Sequence, residues 1–179
     1  MKTLTTCTTM IMLGAAMLTA QAPAPADTGY TATVRNSWNS VKRYVAASAE
    51  KMPEASYAFK PTPEVRSFGE LVGHLANEHY LLCSPLKGEK NPMADVDFEK
   101  KATKAELVKA INDSNAYCDA AYAAAKDDAQ TIAPFSPTRR DTPFRTMLLN
   151  VTHDNEHYGN MITYLRIKGI VPPSSTPTR

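Results

Sequence analysis

The chain has 179 residues and a formal net charge of +2, with 20 basic and 18 acidic side chains. Charges of both signs are interspersed, so nothing indicates binding to nucleic acid or to an anionic membrane surface. The longest apolar run is shorter than the roughly 20 residues of a membrane-spanning helix, so stable membrane insertion is not expected.

Residues 1–26 have the features of a cleaved signal peptide. Lys2 gives a positive start, residues 10–19 form an apolar run of secretory length, and small-residue cleavage sites follow. Pro23 argues against a cut directly before it, so we expect release after Ala26. The 153 remaining residues suit one domain with a sizeable core. We therefore expect an exported protein, either periplasmic or extracellular.

Four segments with helical periodicity are separated by proline-rich stretches. Ser67 and Thr103 each precede a glutamate by three residues, which is a capping-box pattern typical of a helix start. Gly169, with Pro172 beyond it, marks the end of the last helix. Strand signals are essentially absent. The predicted helices are residues 29–51, 68–84, 103–127 and 143–168.

These elements predict an all-α protein, a four-helix bundle with one long crossover between the second and third helices. The bundle domain is expected to cover residues 27–171, followed by a flexible tail at 172–179. Such bundles build metal and ligand sites from side chains on facing helices.

Cys83 and Cys118 lie in an oxidising compartment if the chain is exported. Each is about 15 or 16 residues into its predicted helix, so the two have similar height only if those helices run parallel. Parallel neighbours need a long connection, and residues 88–102 provide one. A disulfide and two buried, inert thiols both stay open.

The fourth predicted helix contains the run HDNEH at residues 153–157, with two histidines four positions apart. A four-residue step advances about 400°, so both rings project from one helix face. A third imidazole from His74 or His79 would complete a centre suited to zinc, nickel, iron or copper. An ordinary hydrogen-bonded histidine pair is the alternative.

The same run also matches H-x-x-E-H, the pattern of inverzincin metalloproteases. That class implies a further acidic ligand in a much larger domain, whereas only 22 residues follow His157. Asp154 and Glu156 each lie about 80° from the line that bisects the two histidines, so spacing selects neither as a base. We keep a protease as a minor alternative.

Three longer motifs occur together and in order along the chain. They are PTPEVRSFGELVGH at 61–74, H-x3-H-Y-G at 153–159 and YLR-x-x-G-x-x-PP at 164–173. With them the chain resembles the DinB-like superfamily of small four-helix metal-binding proteins. In that family a second-helix histidine joins an H-x3-H pair from the fourth helix. The resemblance implies that His74, His153 and His157 bind a divalent ion (zinc, nickel or iron), with water or ligand completing its coordination.

The resemblance also implies what the protein does. Enzymes among the relatives use low-molecular-weight thiols as cosubstrates, and most are cytoplasmic, whereas this chain is expected to be exported. We expect a metal-dependent hydrolase or thiol transferase that acts on a small molecule, with the ion lowering the pKa of a bound water or thiol. The alternative is a non-catalytic metal- or ligand-binding module. A homodimer through exposed helix faces is a further hypothesis.

Other polar side chains near the histidines have weaker assignments. His79 does not match the family histidine and is expected to be structural or on the surface. Glu78 lies one turn from His74 and would hydrogen-bond its ring, unless it is a plain surface glutamate. Glu156 and Glu78 are both candidates to assist catalysis. Tyr164 would donate to a substrate, unless it is a packed tyrosine with one hydrogen bond.

Overall fold

The computed structural model describes residues 29–127, 133–136 and 139–176, with only the backbone described for 133–136 and 139–141. The chain is an all-α four-helix bundle, as predicted, and every predicted helix end agrees with the structure to within three residues. The predicted signal peptide lies outside the described residues. The helices are α1 (Tyr30–Lys51), α2 (Phe68–Lys87), α3 (Lys104–Ala124) and α4 (Pro143–Ile167).

Capping boxes begin α2 and α3, as the sequence predicts. The Glu70 backbone N–H donates to Ser67 Oγ at 3.2 Å, and the Ser67 N–H donates to Glu70 Oε2 at 2.6 Å. Thr103 and Glu106 make the same reciprocal exchange. At its far end α2 continues past its predicted last residue to Gly88, which adopts the left-handed conformation that closes a helix.

The helices form two parallel pairs that run in opposite directions. At the start of α1 the Tyr30 ring contacts Phe144 of α4, and further along Tyr44 stacks on Tyr158, so α1 and α4 are parallel. Lys104, at the start of α3, donates to carbonyl groups at the end of α1, so these two are antiparallel. The parallel pair of α2 and α3 requires the long crossover that the sequence predicts between them.

Trp38 lies at the middle of the core. It is fully buried, donates its indole N–H to Asp119 of α3 at 2.7 Å, and stacks on Tyr122 with ring centroids 5.1 Å apart. The other members of the predicted apolar stripe on α1 are buried as well, namely Val34, Val41 and Val45.

A disulfide between Cys83 and Cys118 joins α2 to α3. Their Cα atoms are 5.3 Å apart and both residues are buried. The two helices run parallel, and this brings the cysteines to the same height. The sequence spacing allowed a disulfide only for that parallel arrangement. The structure therefore has the disulfide and not the two free thiols.

The connection between α3 and α4 departs from the expectation of a strand-free loop. Ala133–Ser136 (β1) and Arg139–Asp141 (β2) pair as a short antiparallel ladder. Strands of three and four residues are too short for an alternating pattern to be visible in the sequence.

The segment expected as a flexible tail begins with a 3-10 turn, Pro173–Ser175, that is hydrogen-bonded to the bundle. The Ser174 N–H donates to Tyr158 Oη at 2.9 Å, and Lys51 Nζ lies 3.3 Å from the Val171 carbonyl. Hydrogen bonds to the bundle thus continue beyond residue 171, and the last part of the predicted tail, 177–179, lies outside the described residues. No helix within the described ranges is both long enough and apolar enough to cross a bilayer.

Candidate metal centre

Three histidines converge between α2 and α4. His74 Nε2 lies 3.2 Å from His153 Nε2, and His157 Nε2 lies 3.1 Å from that same atom. The candidate ligand atoms of all three lie within 4.8 Å of one another. The antiparallel α2 presents His74 to the histidine pair of α4, so the structure brings together the three residues that the motifs imply.

The spacing of two of the three nitrogen pairs, both of which include His153 Nε2, fits a shared divalent ion. Two nitrogens bonded to one ion at about 2.05 Å are about 2.9 Å apart at a right angle and about 3.3 Å apart at the tetrahedral angle. The observed 3.1 and 3.2 Å fall between these values. In addition, His153 Nδ1 is buried and has no hydrogen-bond partner in the described part of the chain. The same 3.1 and 3.2 Å separations are also those of nitrogen–nitrogen hydrogen bonds, so the hydrogen-bonded histidine cluster stays open as the alternative.

The cluster favours uncharged imidazoles. Burial, followed by the neighbouring His157 and His74, lowers the pKa of His153 to about 4. Burial and His74 also lower the pKa of His157, with Glu156 acting in the opposite direction. Neutral imidazole is the form that binds a metal ion, so near neutral pH these two rings need not lose a proton first.

Glu99 orients the ring of His74. Its Oε1 lies 3.0 Å from His74 Nδ1, and since an ionised carboxylate only accepts, Nδ1 carries the proton. The lone pair of His74 is then on Nε2, which faces the other two histidines. A carboxylate behind a metal-binding histidine commonly fixes the tautomer in this way.

Arg66 binds the same carboxylate. Its Nε lies 2.9 Å from Glu99 Oε2, and its Nη2 lies 3.4 Å from Oε1. This arrangement was not predicted from the sequence, where Glu78 is the candidate partner of His74. Glu78 makes no hydrogen bond or ion pair with the described residues, so that assignment is wrong.

Gly73 allows Glu99 to reach His74. A Cβ atom at residue 73 would lie 2.5 Å from the Phe98 carbonyl oxygen and 2.7 Å from the Glu99 nitrogen, closer than real Cβ contacts. Glycine inside a helix is less stable than alanine by about 1 kcal/mol. At residue 73 the close approach of the Phe98 backbone explains why glycine is present. In the sequence, Gly73 directly before His74 was the available signal that another backbone segment approaches α2 closely. It did not indicate that this segment contains Glu99.

His79 is buried outside the cluster. Its Nδ1 lies 2.9 Å from Ser114 Oγ and its Nε2 lies 3.0 Å from Asp154 Oδ1. All three residues are fully buried. The structural assignment of His79 is thus confirmed and the surface alternative is wrong. Asp154 is bound to His79 and is not oriented toward the three-histidine cluster.

The structure places the remaining candidates around the cluster. Tyr164 is buried and donates to the Arg66 carbonyl at 2.6 Å, as a packed tyrosine with one hydrogen bond. Glu156 is exposed on α4. The amide nitrogen of Asn160 lies 3.3 Å from His157 Nδ1, and half a turn of the amide would present its oxygen to an Nδ1–H. A catalytic role for Glu156 or Tyr164 stays a prediction.

A cleft of about 510 Å³ opens beside His157. One wall is the segment from Pro61 to Arg66, which connects α1 to α2, and the other is α4 through His157, Asn160 and Tyr164. The volume is in the range of small-molecule sites.

The fold and the site define a small four-helix protein whose candidate metal centre adjoins a cleft of about 510 Å³. The sequence model of the DinB superfamily matches residues 37–161, and the chain belongs to that superfamily. The match includes all three histidines of the cluster, and it confirms the family that the motifs indicated. No curated protein matches the chain.

Proposed function

We propose that this protein is an exported metalloprotein that binds one divalent ion through His74, His153 and His157 and acts on a small molecule in the adjacent cleft. The convergence of one candidate ligand nitrogen from each histidine, all within 4.8 Å of one another, is the observation that carries this proposal. Zinc, nickel and iron all suit three imidazole ligands, so the proposal covers each of them.

A divalent ion in this position supplies a Lewis acid that lowers the pKa of a bound water or thiol, which is the chemistry of a hydrolase or a thiol transferase. The protein's own residues set the conditions for it. His153 and His157 offer neutral rings from one helix face, and Glu99 holds His74 in the tautomer that presents Nε2. The cleft next to His157 positions the small molecule.

The surroundings favour an open site over a purely structural one. Within the described residues the cluster has three members and no fourth histidine, cysteine or carboxylate. Structural zinc sites usually have four protein ligands, whereas catalytic sites keep a position for water or substrate. The alternative proposal is a non-catalytic module in which the ion joins α2 to α4.

Export is supported by two features of the chain. The amino-terminal residues have the pattern of a signal peptide, and the disulfide between Cys83 and Cys118 is of a kind that persists in oxidising compartments.

Elemental analysis of the purified protein tests the metal site. The wild type, supplemented separately with zinc, nickel or iron, should retain about one ion per chain, and His153→Ala should retain none. Glu156→Gln is the matched control, because it changes an exposed residue between the two α4 ligands and should retain the ion. A wild type without metal under all three conditions would refute the proposal.

Thermal unfolding with and without the ion separates the open site from the structural module. An open site predicts a modest fall in Tm when the ion is removed, together with complete loss of ligand binding. A structural site predicts a steep fall in Tm, because binding energy is then folding energy.

A further inference from the structure

Arg66 is a cation held at the entrance to the candidate metal centre. We propose that Arg66 recognises an anionic group, such as a carboxylate, on a small ligand whose other end reaches the three-histidine centre. This inference rests on the proposed function, and it adds the chemical class of the ligand.

The position of Arg66 supports this role. It lines the same cleft as His157, and its side chain is 42% exposed, so a ligand in the cleft can contact it. Two of its five N–H donors face Glu99, through Nε and Nη2. No acceptor in the described part of the chain binds Nη1, so the guanidinium retains donors for a ligand.

Glu99 links Arg66 to the centre. One carboxylate oxygen binds His74 Nδ1 and the other binds Arg66 Nε, at 3.0 and 2.9 Å. The same carboxylate therefore orients a metal-binding ring and the guanidinium. Tyr164 also fixes the backbone of Arg66 by donating to its carbonyl. An oriented planar guanidinium binds carboxylates with two parallel hydrogen bonds more effectively than a mobile lysine.

The charge of Arg66 lies one carboxylate away from His74, because Glu99 binds both side chains. A divalent ion held by three neutral rings would add positive charge beside it. The cleft would then present two cationic points, one at the centre and one at Arg66, to a ligand that carries an anion at its far end.

Glu64 provides a built-in comparison. It lines the same cleft, is fully exposed, and has its pKa lowered by the Thr62 hydroxyl and by its own backbone, so it is ionised near neutral pH. Its charge opposes anion binding. Removing the charge of Glu64 should therefore strengthen anion binding in the cleft, whereas removing the charge of Arg66 should weaken it.

The test uses matched hydroxamates and protein saturated with Co²⁺, whose absorption spectrum reports ligand binding. Monohydroxamates of malonic, succinic and glutaric acid carry a free carboxylate at three distances, and the corresponding amides are neutral controls. Wild-type protein should bind the best-fitting carboxylate about tenfold more tightly than its amide. Arg66→Gln should lose this preference, measured as the ratio of carboxylate to amide affinity within the same variant, and Glu64→Gln should keep or enlarge that ratio.

The outcomes separate the two proposals. A wild type that takes up no Co²⁺, and that retains no zinc, nickel or iron in the elemental analysis, overturns the proposed function and this inference together. A wild type that takes up Co²⁺ but binds carboxylates and amides equally overturns only the role of Arg66. The role of Arg66 is also overturned if Arg66→Gln keeps the preference for carboxylates, or if Glu64→Gln abolishes that preference.

Discussion

Replacing Gly73 by alanine tests whether the position of the Phe98–Lys100 turn controls the metal centre. The added methyl group would lie 2.5 Å from the Phe98 carbonyl oxygen, whereas ordinary contact begins at 3.4 Å, so the turn must retreat by about 0.9 Å. If Glu99 moves with it, its 3.0 Å bond to His74 stretches to about 3.9 Å and is lost.

The expected effects follow from these distances. Alanine gains about 1 kcal/mol of helix propensity, and overpacking costs about 1 to 3 kcal/mol, so the free energy of unfolding should fall by about 0 to 2 kcal/mol. Loss of the carboxylate partner of His74 should weaken zinc binding by about 10- to 100-fold. Glu99→Gln should give the same loss of zinc affinity without the overpacking cost.

Gly159→Ala is the matched control. Gly159 lies on α4 near His157, and a Cβ atom there meets nothing within 4 Å. This variant should be stabilised by up to about 1 kcal/mol with unchanged zinc affinity. Urea unfolding of the metal-free proteins and zinc titration against a chromogenic chelator provide the two measurements. If Gly73→Ala binds zinc as tightly as Gly159→Ala, the turn does not control the centre and the reasoning is wrong.

Two further predictions concern stability. Replacing both Cys83 and Cys118 by alanine removes a cross-link over 35 residues of sequence and should lower the free energy of unfolding by about 4 kcal/mol in urea titration; a loss below about 1 kcal/mol would contradict this. In the metal-free protein the lowered pKa of His153, about 4, means that the unfolded chain binds a proton that the folded chain does not. Above about pH 6.5 the His153 ring is neutral in both states, and the full free energy of unfolding is present. As the pH falls from 6.5 toward 4, the unfolded state gains the proton first and the free energy of unfolding decreases. His153→Gln should flatten that decline, and an unchanged pH profile would show that His153 is not its source.

The helices and their caps were predictable because their signals are local. Ser67 with Glu70 and Thr103 with Glu106 specify helix starts within a few residues of sequence, whatever the rest of the chain does. The pair of His153 and His157 was predictable for the same reason, since a four-residue step places both on one helix face.

Contacts between distant segments were harder to predict. Spacing alone did not decide whether His74 or His79 joins the pair, because that depends on which face of α2 meets α4. The choice of His74 came from the family resemblance. Glu99 reaches His74 only because the crossover folds back over Gly73. Likewise, pairing of the two cysteines required the parallel direction of α2 and α3, which local periodicity does not specify.

The disulfide and the histidine cluster connect three of the four helices. The disulfide ties α3 to α2, and the cluster lies between α2 and α4, so α1 is the helix that neither of them reaches. Side-chain packing and hydrogen bonds around Trp38 hold it in place. Separation of α1 would therefore leave the cysteines and the three histidines together, and we expect its amides to exchange with solvent before those of α2.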